Sequence, residues 1–166
     1  MRNIFVFGLV ALVLAGAAYF AFKQTVVAPT NTLDGTSTPT TGATLDLSNQ
    51  RLSKTPEYVF SRTDLEKLDL SHNMLTGALQ SQIGNLKKLK VLDLSNNQFT
   101  GVPAEVGQLR DLEVLDLSDN QLTGLPNELG NLSKLQLLNL TGNAYSEADL
   151  AGIRARLPAT TVIKTN

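Results

Sequence analysis

The sequence predicts an α/β solenoid, a coil of about five repeats with a parallel β-sheet on its concave face, preceded by one transmembrane helix. Two observations predict it. The phrase Leu-x-x-Leu-x-Leu-x-x-Asn occurs four times at a nearly constant interval, after one degenerate copy. A separate uncharged run of 19 residues, Ile4 to Phe22, lies close to the N-terminus. Together they divide the chain into an N-terminal transmembrane signal-anchor (1–23), a Thr/Pro-rich linker (24–43) and a repeat domain (44–166).

The apolar run IFVFGLVALVLAGAAYFAF is bracketed by Arg2 and Lys23. As a helix it is about 28 Å long, close to the hydrocarbon thickness of a bilayer. Phe5 and Phe7 sit near one end and Tyr19, Phe20 and Phe22 at the other, as interfacial anchors do. Ala15-Gly16-Ala17 has the small-x-small form of a signal-peptidase site. The apolar run continues past it through Tyr19-Phe20-Ala21-Phe22, and Pro29 blocks cleavage after Val26-Val27-Ala28. An uncleaved anchor is therefore expected, with the repeats outside the cell membrane because Arg2 favours the cytoplasmic side. The alternative is a released chain beginning near Ala18. Gln24 to Ala43 is rich in Thr, with Pro29, Pro39, Gly35 and Gly42, and has too little apolar surface to fold. It reads as a tether.

The four full copies run Leu65-EK-Leu68-D-Leu70-SH-Asn73, Leu89-KV-Leu92-D-Leu94-SN-Asn97, Leu112-EV-Leu115-D-Leu117-SD-Asn120 and Leu135-QL-Leu138-N-Leu140-TG-Asn143. The degenerate first copy is Leu45-D-Leu47-SN-Gln50-R-Leu52. The steps between copies are 23, 24, 23 and 23 residues. In a short strand Leu-x-Leu, both leucines face one way and the residue between them the other. Stacked strands about 4.8 Å apart then bury leucine columns that no single repeat buries alone. The Asn after each strand turns inward, so Asn73, Asn97, Asn120 and Asn143 are expected to form a ladder satisfying loop backbone. Gln50 takes that place in the first copy, where one neighbour is missing.

The return segments repeat as well. Phe99-TG-Val102-Pro103-AE-Val106-GQ-Leu109 matches Leu122-TG-Leu125-Pro126-NE-Leu129-GN-Leu132, and Leu75-TGALQSQ-Ile83-GN-Leu86 has one extra residue and no proline. Proline suits a turn but not a strand, so short helical or 3₁₀ turns are predicted here. Phrase and period together resemble the leucine-rich repeat family, and the return pattern is similar to typical plant and bacterial repeats. The resemblance implies a rigid recognition scaffold. At the C-terminus, Ser146-Glu147-Ala148-Asp149 has capping-box form ahead of Leu150, Ile153 and Leu157. Pro158 should end that helix, and Thr160 to Lys164 should form a last strand.

Composition narrows the function. Setting aside Arg2, Lys23 and Asp34 leaves 12 basic and 14 acidic residues, which is no electrostatic footprint for nucleic acid. Cysteine is absent, which excludes disulfides, zinc–thiolate sites and thiol catalysis. The single histidine, His72, stands beside Ser71 and Asp69, but these are framework positions with no oxyanion turn or pocket implied. No enzyme, metal or cofactor is expected. Asn131-Leu-Ser and Asn139-Leu-Thr are glycosylation sequons, the second on the concave face.

With Leu and Asn assigned to the scaffold, three outward columns remain. One is Asp46, Asp69, Asp93, Asp116 and Asn139; the next is Ser48, Ser71, Ser95, Ser118 and Thr141; the third is Thr44, Lys67, Val91, Val114 and Leu137. Val91, Val114 and Leu137 are apolar where the repeat exposes its side chains, which marks an interaction surface. The acidic row Asp69, Asp93 and Asp116 suits a basic partner, although Leu-Asp-Leu-Ser is also common framework in the family it resembles. These six residues are the candidate site for a protein or peptide ligand, in a domain attached to the membrane through its N-terminal helix. The alternatives are a self-associating envelope protein, forming a homodimer, and a secreted effector or inhibitor.

Overall fold

The computed structural model describes residues 42–166. The predicted span Ile4–Phe22 and linker residues 24–41 lie outside the described residues. Among the described residues, no helix is long and apolar enough to cross a membrane.

Each copy of the repeat phrase supplies one strand of a parallel sheet. The strands are β1 (Ala43–Asp46), β2 (Leu65–Asp69), β4 (Val91–Asp93), β6 (Val114–Asp116), β7 (Leu137–Asn139) and β8 (Val162–Lys164), ordered β1-β2-β4-β6-β7-β8. The register is constant from coil to coil: Leu45, Leu68, Leu92, Leu115, Leu138 and Ile163 stand opposite one another. Their alternation faces the leucines inward, and Leu68, Leu92, Leu115 and Leu138 have no exposed surface. The final strand is the one expected between Thr160 and Lys164, shortened to its last three residues.

The asparagine ladder is present, and it has a direction. Asn97 donates through Nδ2 to the carbonyls of Leu94 and Ser95 in its own coil, and to Leu70 in the coil before. Its Oδ1 accepts from Leu75 N, also in the preceding coil, at 3.1 Å. Asn73, Asn120 and Asn143 repeat the pattern. Each asparagine thus staples its coil backwards. Among the described residues no coil precedes the first one, and the exposed Gln50 stands at the equivalent place there. Between the hydroxyl residue (Ser or Thr) and the amide residue (Asn, or Gln50 in the first copy) of every phrase lies a left-handed residue: Asn49, His72, Asn96, Asp119 and Gly142, with φ of 57°, 54°, 54°, 52° and 72°. Asn, Asp, His and Gly are the residues that enter this region most readily, which explains the choice at a position that looks variable in sequence.

The return segments are 3₁₀ helices as predicted: η1 (Glu57–Ser61), η2 (Ser81–Asn85), η3 (Ala104–Gln108) and η4 (Asn127–Asn131). Pro56, Pro103 and Pro126 precede three of them in extended conformation, where the missing N–H costs nothing. Inward residues Val59, Ile83, Val106 and Leu129 are fully buried. Gly107 is required by close stacking, because a Cβ there would lie 2.2 Å from the carbonyl oxygen of Glu128 in the next coil. The segments contain one feature not predicted. Thr76–Ala78 (β3) and Gln98–Gly101 (β5) pair in parallel as a second, two-stranded sheet.

The C-terminal end is closed by helix α1 (Glu147–Arg154), which takes the place of a 3₁₀ turn and buries Leu150 and Ile153. Its capping box does not form. Ser146 occupies the N-cap without a side-chain hydrogen bond. The Asp149 carboxylate instead accepts from Leu125 N in the preceding coil, at 3.2 Å. A backbone donor left over between coils outcompetes the helix's own amide groups.

Candidate functional site

The outward sheet face carries two side-chain columns in strict register. The first runs Thr44, Lys67, Val91, Val114, Leu137 and Val162. The second runs Asp46, Asp69, Asp93, Asp116, Asn139 and Lys164. Val91, Val114 and Leu137 are adjacent and half-buried, so the three form one apolar strip. Val162 continues the strip and is 56% exposed, which makes it the most accessible apolar side chain on this face. Sequence reading passed over it because the last strand lacks the repeat phrase. Its only signal was the apolar pair Val162-Ile163 after Pro158.

In the serine column, Ser71, Ser95 and Ser118 are buried where exposure is expected from sequence, while Ser48 and Thr141 are half-buried. Each buried serine is folded back onto the carboxylate two residues earlier. Ser71 Oγ donates to Asp69 Oδ1 at 2.7 Å, Ser95 Oγ to Asp93 at 2.7 Å and Ser118 Oγ to Asp116 at 2.6 Å. The serine N–H donates to the same oxygen in each case. Thr141 makes the same two bonds to Asn139 Oδ1. At the N-terminal edge the Ser48 N–H, aided by its hydroxyl and by Lys67, holds the Asp46 carboxyl below the usual carboxylate value.

Oδ1 of each aspartate is therefore committed to the end of its own strand. Asp116 Oδ2 accepts from Asn139 Nδ2 at 3.0 Å. Among the described residues, the ion pairs join Arg62 to Asp64, Lys90 to Glu66 and Lys134 to Asp111; none reaches Asp69, Asp93 or Asp116. No three of the metal-ligating side chains among the described residues converge on a common point. Ser71 directs its hydroxyl proton at Asp69 and not at His72. The sequon residue Asn139 is engaged through both amide atoms, to Asp116 and Thr141.

A family model described as Leucine rich repeat matches residues 43–99 and 87–144. Tsukushi of Mus musculus is 43% identical over 70 residues, 40% of this chain and 20% of that protein. A solved Leptospira interrogans LRR protein is 40% identical with a TM-score of 0.64, over 69% of this chain and 29% of the other. A plant peptide hormone receptor, RGFR1 in complex with RGF2, is 30% identical with a TM-score of 0.59, over 74% of this chain and 24% of that one. The chain thus spans between a fifth and a third of the length of these three. The matched residues are the coils whose leucine columns and asparagine ladder are described above, and the chain belongs to the leucine-rich repeat family.

Proposed function

We propose that this protein recognises a protein or peptide through its outward sheet face, held outside the cell membrane by a single-pass N-terminal anchor and the linker that follows. One observation carries the reading: Val91, Val114 and Leu137 stand in register on adjacent strands, on a face whose framework tolerates Lys67 and Thr44 at the same position. The framework does not call for aliphatic side chains there, and a contiguous apolar strip on a rigid sheet binds with little ordering cost. The plant receptor solved with its peptide hormone is a relative in which such a domain works by recognition. The anchor rests on the apolar run Ile4–Phe22.

Affinity capture from membranes with the full chain, compared with a V91S/V114S/L137S variant, tests the reading. Loss of the captured partner supports it; an unchanged set of partners refutes it. Extraction of the native protein by detergent but not by alkaline carbonate supports the anchor. A soluble chain starting near Ala18 refutes it.

A further inference from the structure

We infer that the partner segment seated on this face is cationic as well as aliphatic: an extended stretch in which Lys or Arg recurs every third residue among apolar ones. The inference rests on the proposed recognition by the sheet face and adds the chemistry of what is recognised.

The argument starts from an internal comparison. Asn139 occupies the aspartate position in β7, and its Oδ1 receives the same pair of donors, from Thr141, that Asp116 receives from Ser118. The strand end is thus satisfied by a neutral amide oxygen. The hydrogen-bonding framework needs an acceptor at this position but not a negative charge. Charge is nevertheless present at Asp69, Asp93 and Asp116, three strands in succession. Like charges at that spacing repel by about 1 kcal/mol per neighbouring pair even in water. No cation among the described residues pairs with them. The apolar strip Val91–Val114–Leu137–Val162 lies directly alongside, with Lys67 and Lys164 only at the two extremities. A ligand covering the strip brings its flanking groups over the acidic row, and only cationic groups relieve the repulsion there. An acidic or neutral segment leaves the row uncompensated as it excludes water, which opposes binding.

Geometry adds a spacing. Strands lie about 4.8 Å apart, so alternate coils repeat at about 9.6 Å. A polyproline-II segment crossing the strands presents every third residue at about 9.3 Å, which keeps step with alternate coils. Cations three residues apart then reach Asp69 and Asp116, while aliphatic residues on the neighbouring edge follow Val91 and Leu137.

The probes are labelled peptides of four Lys-Val-Pro triplets, with Glu-Val-Pro and Gln-Val-Pro peptides of equal length. Fluorescence anisotropy is read on the full chain in detergent micelles. The Lys peptide should bind about tenfold or more tighter than the Gln peptide, lose that advantage in about 0.5 M salt, and leave the Glu peptide unbound. A D69N/D93N/D116N variant should remove the preference for Lys. Equal binding of all three peptides, no binding of any, or a preference that survives in the triple Asn variant overturns the inference. If binding is lost only in V91S/V114S/L137S, sheet-face recognition stands and the cationic assignment falls. If neither variant affects binding, both fall.

Discussion

Asn139 reaches across the sheet to Asp116, donating from Nδ2 to Oδ2 at 3.0 Å, while its own Oδ1 takes the backbone and hydroxyl protons of Thr141. Asp116 takes the corresponding protons of Ser118. One position on neighbouring strands thus accepts either an amide or a carboxylate. The D69N/D93N/D116N variant should accordingly fold, with unfolding free energy equal to or above that of the parent. The relief of repulsion is on the order of 1 kcal/mol and greatest at low salt. Urea titrations at two ionic strengths check this. A loss above about 2 kcal/mol would mean that the charges are structural.

Asn97 shows what the ladder contributes. Removing its amide leaves the N–H of Leu75 without a partner between two coils, while the Leu70 carbonyl keeps the bond from Asn73 Nδ2. Asn97→Ala should cost about 2 kcal/mol, since a stranded buried group costs roughly 1–3 kcal/mol. Gln50→Ala, at an exposed ladder position with no described coil before it, should cost under about 0.5 kcal/mol. Comparable losses in the two variants, measured by chemical denaturation, would contradict the backward-stapling account.

Thr55 is buried, and its hydroxyl finds no hydrogen-bond partner among the described residues. The equivalent residues in later coils are Leu79, Val102 and Leu125. Thr55→Val exchanges the stranded hydroxyl for a methyl of the same shape and should stabilise the domain by about 1 kcal/mol. Thermal melts of parent and variant decide the sign.

Acid should weaken three surface carboxylates. Asp46 is held below its ordinary value by the Ser48 N–H, Asp64 by the hydrogen bond from Arg62, and Asp111 by that from Lys134. A carboxyl depressed in the folded state contributes stability above its unfolded pKa, and the contribution is lost as pH falls through the folded value. D46N/D64N/D111N should therefore be slightly less stable than the parent at pH 7, with the gap closing as the pH falls below the ordinary aspartate value of about 3.9. The gap is small because all three groups lie near the surface. A gap that widens in acid would reverse the assignment.

What the sequence disclosed depended on repetition. Leu68, Leu92, Leu115 and Leu138 were readable as a buried column, and Asn73 to Asn143 as a ladder, because period and residue type agree in every coil. The apolar strip was readable as far as Leu137. Val162 was missed because β8 is reached through α1 and carries no repeat phrase. Ser71, Ser95 and Ser118 looked outward by strand alternation, but the strand ends at the aspartate and the serine folds back to bond it. The capping box failed for a related reason, as Asp149 turns to Leu125 N in another coil. Contacts between coils lie beyond any local window of sequence.

Cross-linking on intact cells, followed by mass spectrometry, tests the central claim most directly when the parent is compared with V91S/V114S/L137S. Lys67 at the equivalent place in β2 shows that a polar side chain is compatible with the coil, and a thermal melt verifies that the variant folds. The account predicts a discrete cross-linked partner for the parent and its loss from the variant. The same partner recovered in the same yield from both would contradict recognition by this face.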